Sequence, residues 1–475
     1  MAKSPRNEEL EAFLRRQDAG DLVGVLLELA EDHEAVQARL ARMQLSDRPD
    51  KLAADFKKTL NVWRRSTKFY GYREAGEFGR KLEGWLDQVA RELLPKHPPA
   101  ALALFEAFIE TDAAWFDRAD DSDGVIGDAV RAACRHWLLA AARCETPPSV
   151  WPERLLELYE ADEYGARDEL LRRADLLLDE PAQRALVAEL ESKLAQAVEA
   201  SQRGESPRMD VFRLSGALSL LAESLRDPDV MVRAALRYSP NPNGLQREEF
   251  ARAYLDADRP ADALAWLQDA WGNLDDSRQD LLADALERLG RFEESSPIRQ
   301  RMFERTLSDY YFERWLEHLP EAARSDAISH ARELALAHDD LAASATLLLR
   351  LGDAAAAEHR LLAEPGGIDG NDYGNLVPLA KALRTHECPR GETVVYRALL
   401  RGILDRAYAR AYSHAARYWS RLGEISGSGV SVLPLPSHED FEAEIRGRHA
   451  RKSAFWAHVN GTRCDRNDDD EGMTS

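Results

Sequence analysis

Residues 341–363 read Leu-Ala-Ala-Ser-Ala-Thr-Leu-Leu-Leu-Arg-Leu-Gly-Asp-Ala-Ala-Ala-Ala-Glu-His-Arg-Leu-Leu-Ala, and the break at Arg350-Leu-Gly-Asp353 divides them into two halves. On both sides apolar residues recur at three- and four-residue steps, the spacing that gathers them on one face of an α-helix. Gly352 supplies the turn, because glycine takes the left-handed backbone angles of a tight reversal at little steric cost. The marking positions are Leu348, Gly352, Ala357 and Leu361. The same set returns as Leu286, Gly290, Phe292 and Ser295, and again as Tyr254, Ala263, Leu267 and Ala270. The stretch between Gly290 and Gly352 leaves room for one more, degenerate hairpin, from Trp315 to Ala335. A single hairpin cannot bury its own apolar face, so a recurrence of this length predicts hairpins stacked on one another.

Outward from this region the helical pattern continues without the period. Asp21 is positioned to cap a helix carrying Leu22, Val25, Leu26, Leu29, Val36 and Leu40 on one stripe. Leu102, Phe105, Phe108 and Ile109 form another after Pro98-Pro99, and Val130, Ala133, Cys134, Trp137, Leu138 and Ala141 a third. Turn-forming clusters interrupt the pattern at 145–149, 204–207, 239–244, 365–372 and 426–429. They divide the chain into an N-terminal helical array (1–144), middle hairpins (145–244), the repeat region (245–365), C-terminal helices (366–425), an extended segment with a terminal helix (426–459) and a disordered acidic tail (460–475). That terminal helix is expected from His438 to Val459.

Composition agrees. Among 475 residues there are 65 Leu but only 19 Val and 8 Ile, so helix formers dominate and the β-branched residues that fill sheets are scarce. The fold class expected is all-α, an α-solenoid of stacked antiparallel helix hairpins. Large-sheet folds, and the reactions they most often host, fit poorly. The formal charge of −21 repels nucleic acid and anionic membrane at long range, so a polyanion would need a local basic patch. The first residues carry no apolar run, and no stretch approaches the length of a membrane span, so a cytoplasmic protein with no membrane association is expected. Four scattered cysteines form no disulfide framework.

Catalytic and cofactor signatures are missing. No P-loop, G-x-G-x-x-G, G-x-S-x-G or H-E-x-x-H pattern occurs, nor a single E-x-x-H pair of the kind di-iron bundles use. No catalytic residue, resident metal or cofactor is therefore assigned. Asp120-Asp-Ser-Asp-Gly-Val-Ile-Gly-Asp128 half resembles a calcium loop, with Asp121, Asp123 and Gly124 in register, but Ala119 and Val130 stand where the first and last ligands belong. A helix cap starting near Gly127 explains these carboxylates better, while Asp121 and Asp123 stay open to a cation or a cationic partner. His386 with Cys388, and Cys134 with His136 and Cys144, are poor zinc sites, because residues two apart on a helix face different ways.

Basic patches are the stronger lead. Residues 57–81 carry Lys57, Lys58, Arg64, Arg65, Lys68, Arg73, Arg80 and Lys81 against Glu74 and Glu77, interleaved with Trp63, Phe69, Tyr70 and Tyr72. Cations beside aromatic rings can hold phosphates and stack bases. A second group comprises Arg397, Arg401, Arg406, Arg410, Arg417 and Arg421 with only Asp405 opposing, and a third Arg451 and Lys452 before Phe455-Trp456. The competing reading is that these cations pair with acidic helices across the array, and that the aromatics are core.

Two resemblances follow. The marking positions of 248–364 resemble tetratricopeptide-like repeats, which want large and small residues alternating at the helix contact. Asp120-Asp-Ser-Asp-Gly124 with Gly127-Asp128, Tyr396-Arg-Ala-Leu-Leu400 through Tyr412-Ser-His-Ala-Ala-Arg-Tyr418, and Arg451-Lys452 with Phe455-Trp456 resemble a bacterial family of all-helical proteins of no assigned activity. The N-terminal half is similar to the helical arrays that accompany SWIM-type zinc fingers, but none of the four cysteines is placed in the C-x-C pair with a later C-x-H that such a finger needs. The resemblance implies a helical fold and supplies no catalytic residue. The function expected is that of a non-enzymatic helical-repeat scaffold binding a protein or peptide partner, through Arg64, Arg65, Lys68, Tyr70, Tyr72, Arg397, Arg401, Arg417, Arg451, Lys452 and Trp456. The second reading is nucleic acid or another polyanion on the same residues; the third is an enzyme with an unrecognised site.

Overall fold

A helix with an apolar stripe needs a neighbour to cover it, so helix follows helix here with short turns between. The computed structural model describes residues 5–45, 47–204, 208–429 and 431–461. Every regular element among them is a helix, apart from a single bridge between Tyr70 and Ala119. The chain divides into two compact units, residues 1–259 and 260–475. Each is an α-solenoid of stacked antiparallel hairpins.

The first unit contains α1 (Pro5–Leu14), α2 (Ala19–Asp32), α3 (Glu34–Gln44), α4 (Pro49–Arg65), α5 (Tyr72–Gln88), α6 (Pro98–Ile109), α7 (Asp112–Phe116), α8 (Val125–Ala141), α9 (Trp151–Glu160), α10 (Glu169–Arg172), α11 (Glu180–Gln202), α12 (Arg208–Leu225), α13 (Pro228–Tyr238) and α14 (Gly244–Asp256). α5 and α6 both lie against α8, and α11, α12 and α13 pack in succession. All six positions of the third expected stripe, Val130 through Ala141, are buried in α8. Beneath α4 and α5 the core is aromatic: Trp85 stacks on Phe108 with ring centres 5.7 Å apart, and Phe108 meets Trp115 edge-on at 4.5 Å.

The second unit contains α15 (Pro260–Ala263), α16 (Asp275–Arg288), α17 (Phe292–Thr306), α18 (Asp309–Glu317), α19 (Glu321–Ala337), α20 (Leu341–Arg350), α21 (Ala354–Ala363), α22 (Tyr373–Thr385), α23 (Pro389–Asp405), α24 (Tyr412–Gly427), α25 (His438–His449) and α26 (Ser453–Gly461). α16 with α17 and α20 with α21 are packed helix hairpins that turn at Gly290 and Gly352, with φ of 71° and 79°. Between them, where one degenerate hairpin was expected, α18 packs mainly on α17 and α19 on α20, and the two helices bury Trp315, Ala327, Ala331 and Ala335. After the Gly352 turn the Asp353 carboxylate caps α21 by accepting the Ala356 N–H at 3.1 Å. Asp353→Ala is expected to cost about 1 kcal/mol, read as a lower urea midpoint with unchanged helicity before the transition.

Four expectations are corrected. The helix drawn from Leu22 to Leu40 is two, because His33 is extended (φ −128°, ψ 104°) and Glu31 and Asp32 oppose the negative end of α2. Its cap is Asp18, which accepts the Gly20 N–H at 2.7 Å, rather than Asp21. In the first repeat Ala263 and Leu267 are buried, but the helix ends at Ala263 in a 3₁₀ turn over Leu264–Trp266 and leaves Ala270 exposed. The terminal helix is likewise two, α25 and α26, because the chain turns at 450–452 to lay Phe455 against Tyr412 and Trp419. The tail expected from 460 lies, beyond Gly461, outside the described residues, as do 205–207 of one expected break.

Candidate functional site

The site starts from α4. Pro49 opens this helix where a missing N–H costs nothing, and Leu52, Phe56 and Leu60 are buried at four-residue spacing. Phe56 and Trp63 both meet Trp85 edge-on, at 6.0 and 6.1 Å, which fixes the rotation of the helix. Its outward face is thereby set. Lys51, Lys58 and Arg65, seven residues apart, form one line along it, and Lys57 and Arg64 a second beside it. All five are exposed, and none makes an ion pair or side-chain hydrogen bond among the described residues. Val62, on the same face of the helix, and Phe69, in the segment after it, are each 62% exposed.

Other cations of the chain are paired between elements. In the first unit Arg172 reaches Glu223 at 2.9 Å, Arg184 reaches Asp227 at 3.0 Å and Arg233 reaches Glu191 at 3.0 Å, all between helices. In the second, Arg421 reaches Glu392 at 2.8 Å. These cations are answered across the helix array; the five of α4 are not.

The segment after α4 ties the patch down. Tyr70 donates its N–H to the Arg118 carbonyl at 2.8 Å and accepts the Asp120 N–H at 3.0 Å, while its ring stacks on Phe78 at 4.4 Å. Lys68 sits 5.1 Å above the Tyr70 ring and pairs with Glu74 at 2.8 Å, which raises the ammonium pKa. The Tyr72 hydroxyl donates to Asp123 at 2.7 Å, and this bond pushes its pKa up. Asp121 accepts the N–H groups of Ile126 and Gly127 at 2.9 and 3.0 Å and so caps α8, with Gly124 at φ 72° before it. The basic–aromatic segment and the acidic turn, read separately in the sequence, thus form one corner.

The second basic group does other work. Arg397, expected to face a partner, is 4% exposed and donates to the carbonyls of Pro436 and Ser437 at 3.0 and 3.3 Å. Its guanidinium lies 4.6 Å from the Phe441 ring centre, and burial, followed by the nearby Arg401, pulls its pKa down to about 10. Arg401 covers the same ring and holds Glu444 at 2.7 Å. Trp456 donates its indole N–H to the His449 carbonyl at 3.0 Å and meets Trp419 edge-on at 5.4 Å, with Arg446 over both rings. These side chains fasten 436–456 onto α23 and α24. Arg417, hydrogen-bonded to His414 at 2.7 Å, and Arg451 are exposed; Lys452, partly covered, lies with Arg451 at the turn before α26.

No three His, Cys, Asp or Glu side chains converge as metal ligands among the described residues, and Cys134 is fully buried, which pushes its thiol pKa far up. A groove of about 260 Å³ between α11 and α13, lined by Glu191, Leu194, Arg233 and Arg237, brings together no nucleophile with a base. No helix among the described residues is long and apolar enough to cross a membrane. Sequence reasoning missed Lys51, whose seven-residue spacing to Lys58 and Arg65 was the available signal.

Fold and surface together define a class: an all-helical protein of stacked hairpins that offers side chains on helix faces. The chain belongs to a family of unknown function, DUF6880, whose model it matches over residues 5–458. No curated protein matches it. Among solved structures it is similar to a circular tandem repeat protein with novel repeat topology and enhanced subunit contact surfaces, at 12% identity over 92% of each chain and a TM-score of 0.20.

Proposed function

We propose that the protein is a cytoplasmic, non-enzymatic scaffold of bacterial origin that binds a protein partner, and that the outward face of α4 receives an acidic, partly apolar segment of it. The observation that carries this reading is the set of five exposed cations, Lys51, Lys57, Lys58, Arg64 and Arg65, without an ionic partner among the described residues. Exposed cations steer an acidic segment to the face, while Val62 and Phe69 give it apolar contacts to keep. A peptide suits the surface better than nucleic acid, since an overall charge of −21 opposes a dense polyanion more than a short segment with a few carboxylates. Arg417, Arg451 and Lys452 would contribute in the second unit, whereas Arg397 serves the fold. Kinship with the arrays beside SWIM-type fingers belongs to the same reading and rests on the quoted segments.

The test uses a labelled peptide alternating Glu with Leu, about eight residues long, enough to run the roughly 21 Å from Lys51 to Arg65. Binding is expected to weaken as salt rises, and Lys58→Glu with Arg64→Glu and Arg65→Glu is expected to weaken it at least tenfold at low salt. These side chains are exposed, so thermal unfolding should be nearly unchanged. Unchanged affinity in the triple variant overturns the reading. A single-stranded oligonucleotide of equal charge that binds more tightly at the same face replaces the peptide with nucleic acid.

A further inference from the structure

The N-terminal helices of the first unit expose apolar surface that the rest of the described chain does not cover. Leu10, Phe13 and Leu14 of α1 are 41–54% exposed, and Val23, Val25, Leu26, Leu27 and Leu29 of α2 are 40–58% exposed. α2 contains no buried residue. Its central run, Leu22-Val-Gly-Val-Leu-Leu-Glu-Leu29, is apolar over more than half of the helix circumference, with Gly24 and Glu28 beside Asp21, Glu31 and Asp32 on the remaining side. An apolar arc this wide exceeds the single stripe of an ordinary surface helix and needs more than one neighbour to cover it. Its one well-packed neighbour is α3.

We infer that α1 and α2 form the dimer interface of this protein, with a second copy of the chain as occupant. Two features favour a second copy. The first is area: the eight side chains leave on the order of 700 Å² of apolar surface in water, close to the roughly 800 Å² that each partner of a standard stable interface contributes. The second is enclosure. In a two-fold arrangement the α1 and α2 of each copy meet the same pair of the other, giving a four-helix cluster in which each α2 gains neighbours from α1 and α2 of the other copy beside its own α3. A lone partner helix would cover only part of this wide apolar arc and leave the rest of it wet. The inference is independent of the α4 face and involves none of its residues.

The experiment measures the mass of the full-length protein by light scattering and sedimentation over a wide concentration range. Twice the chain mass is expected at micromolar concentration. Val23→Glu with Leu27→Glu, both exposed and one helical turn apart, is expected to give the monomer mass with unchanged far-ultraviolet circular dichroism. Val23→Ala with Leu27→Ala, which keeps helix propensity, is expected to weaken dimerisation about tenfold or more, and this variant decides the matter should the charged one lose helicity. A wild type that stays monomeric up to tens of micromolar overturns the inference. So does a dimer whose dissociation constant neither variant changes, which would place the interface elsewhere.

Discussion

Arg167→Ala is expected to lower the stability of the chain by about 3–5 kcal/mol. Arg167 and Asp112 are 4% and 2% exposed, and the guanidinium holds the carboxylate in two parallel bonds of 2.7 and 2.8 Å. The same guanidinium donates to the carbonyls of Leu158 and Ile109 at 2.9 and 3.1 Å, joining the ends of α6 and α9. Truncation leaves a buried carboxylate unpaired and two carbonyls short of a donor, the costly way to break a buried pair. Replacing both partners, Arg167→Met with Asp112→Leu, should cost less than the single change, because no charge is left behind. Urea unfolding of the three proteins checks this. A single variant within about 1 kcal/mol of wild type would mean that water reaches Asp112 and the pair is not a lock.

The second large effect is expected at the crossing of α23 and the loop before α22. A Cβ on Gly402 would stand 2.6 Å from the Gly370 carbonyl carbon, and a Cβ on Gly370 would stand 2.7 Å from the carbonyl carbon of Ala398. Both obstacles are backbone, so a side chain cannot swing aside. Two effects compete in Gly402→Ala. Helix propensity alone favours alanine by about 1 kcal/mol. Overpacking against fixed backbone costs about 3 kcal/mol and wins, for a net loss of roughly 2 kcal/mol. Thermal or urea unfolding reads the sign directly, and a stabilised Gly402→Ala would show that the loop moves freely away from α23.

What was legible in the sequence follows the range of the forces involved. The α8 stripe and the turns at Gly290 and Gly352 depend on spacing within one helix or hairpin, and they stand where the residues put them. Arg397 was not legible: its four-residue step to Arg401 is equally that of a surface stripe, and only the return of the chain at Pro436 and Phe441 buries it. The closure of Tyr72 on Asp123 spans 51 residues, and no local pattern announces it. α2 is the reverse case. Its apolar residues read as core, and the structure supplies no cover for them within the described chain. The α4 face needed both levels, spacing to align Lys51, Lys58 and Arg65, and the packing of Leu52, Phe56 and Leu60 to set that line outward.

The most direct test of the α4 face is hydrogen exchange on the full-length protein, with and without a saturating amount of the Glu-Leu peptide. Helix amides exchange through local opening, and a bound segment slows that opening where it lies. The account predicts slowed exchange confined to α4 and the segment to Tyr72, and no such change in the Lys58→Glu, Arg64→Glu, Arg65→Glu variant. Slowing that centres on another helix, or that persists in the variant, would contradict it.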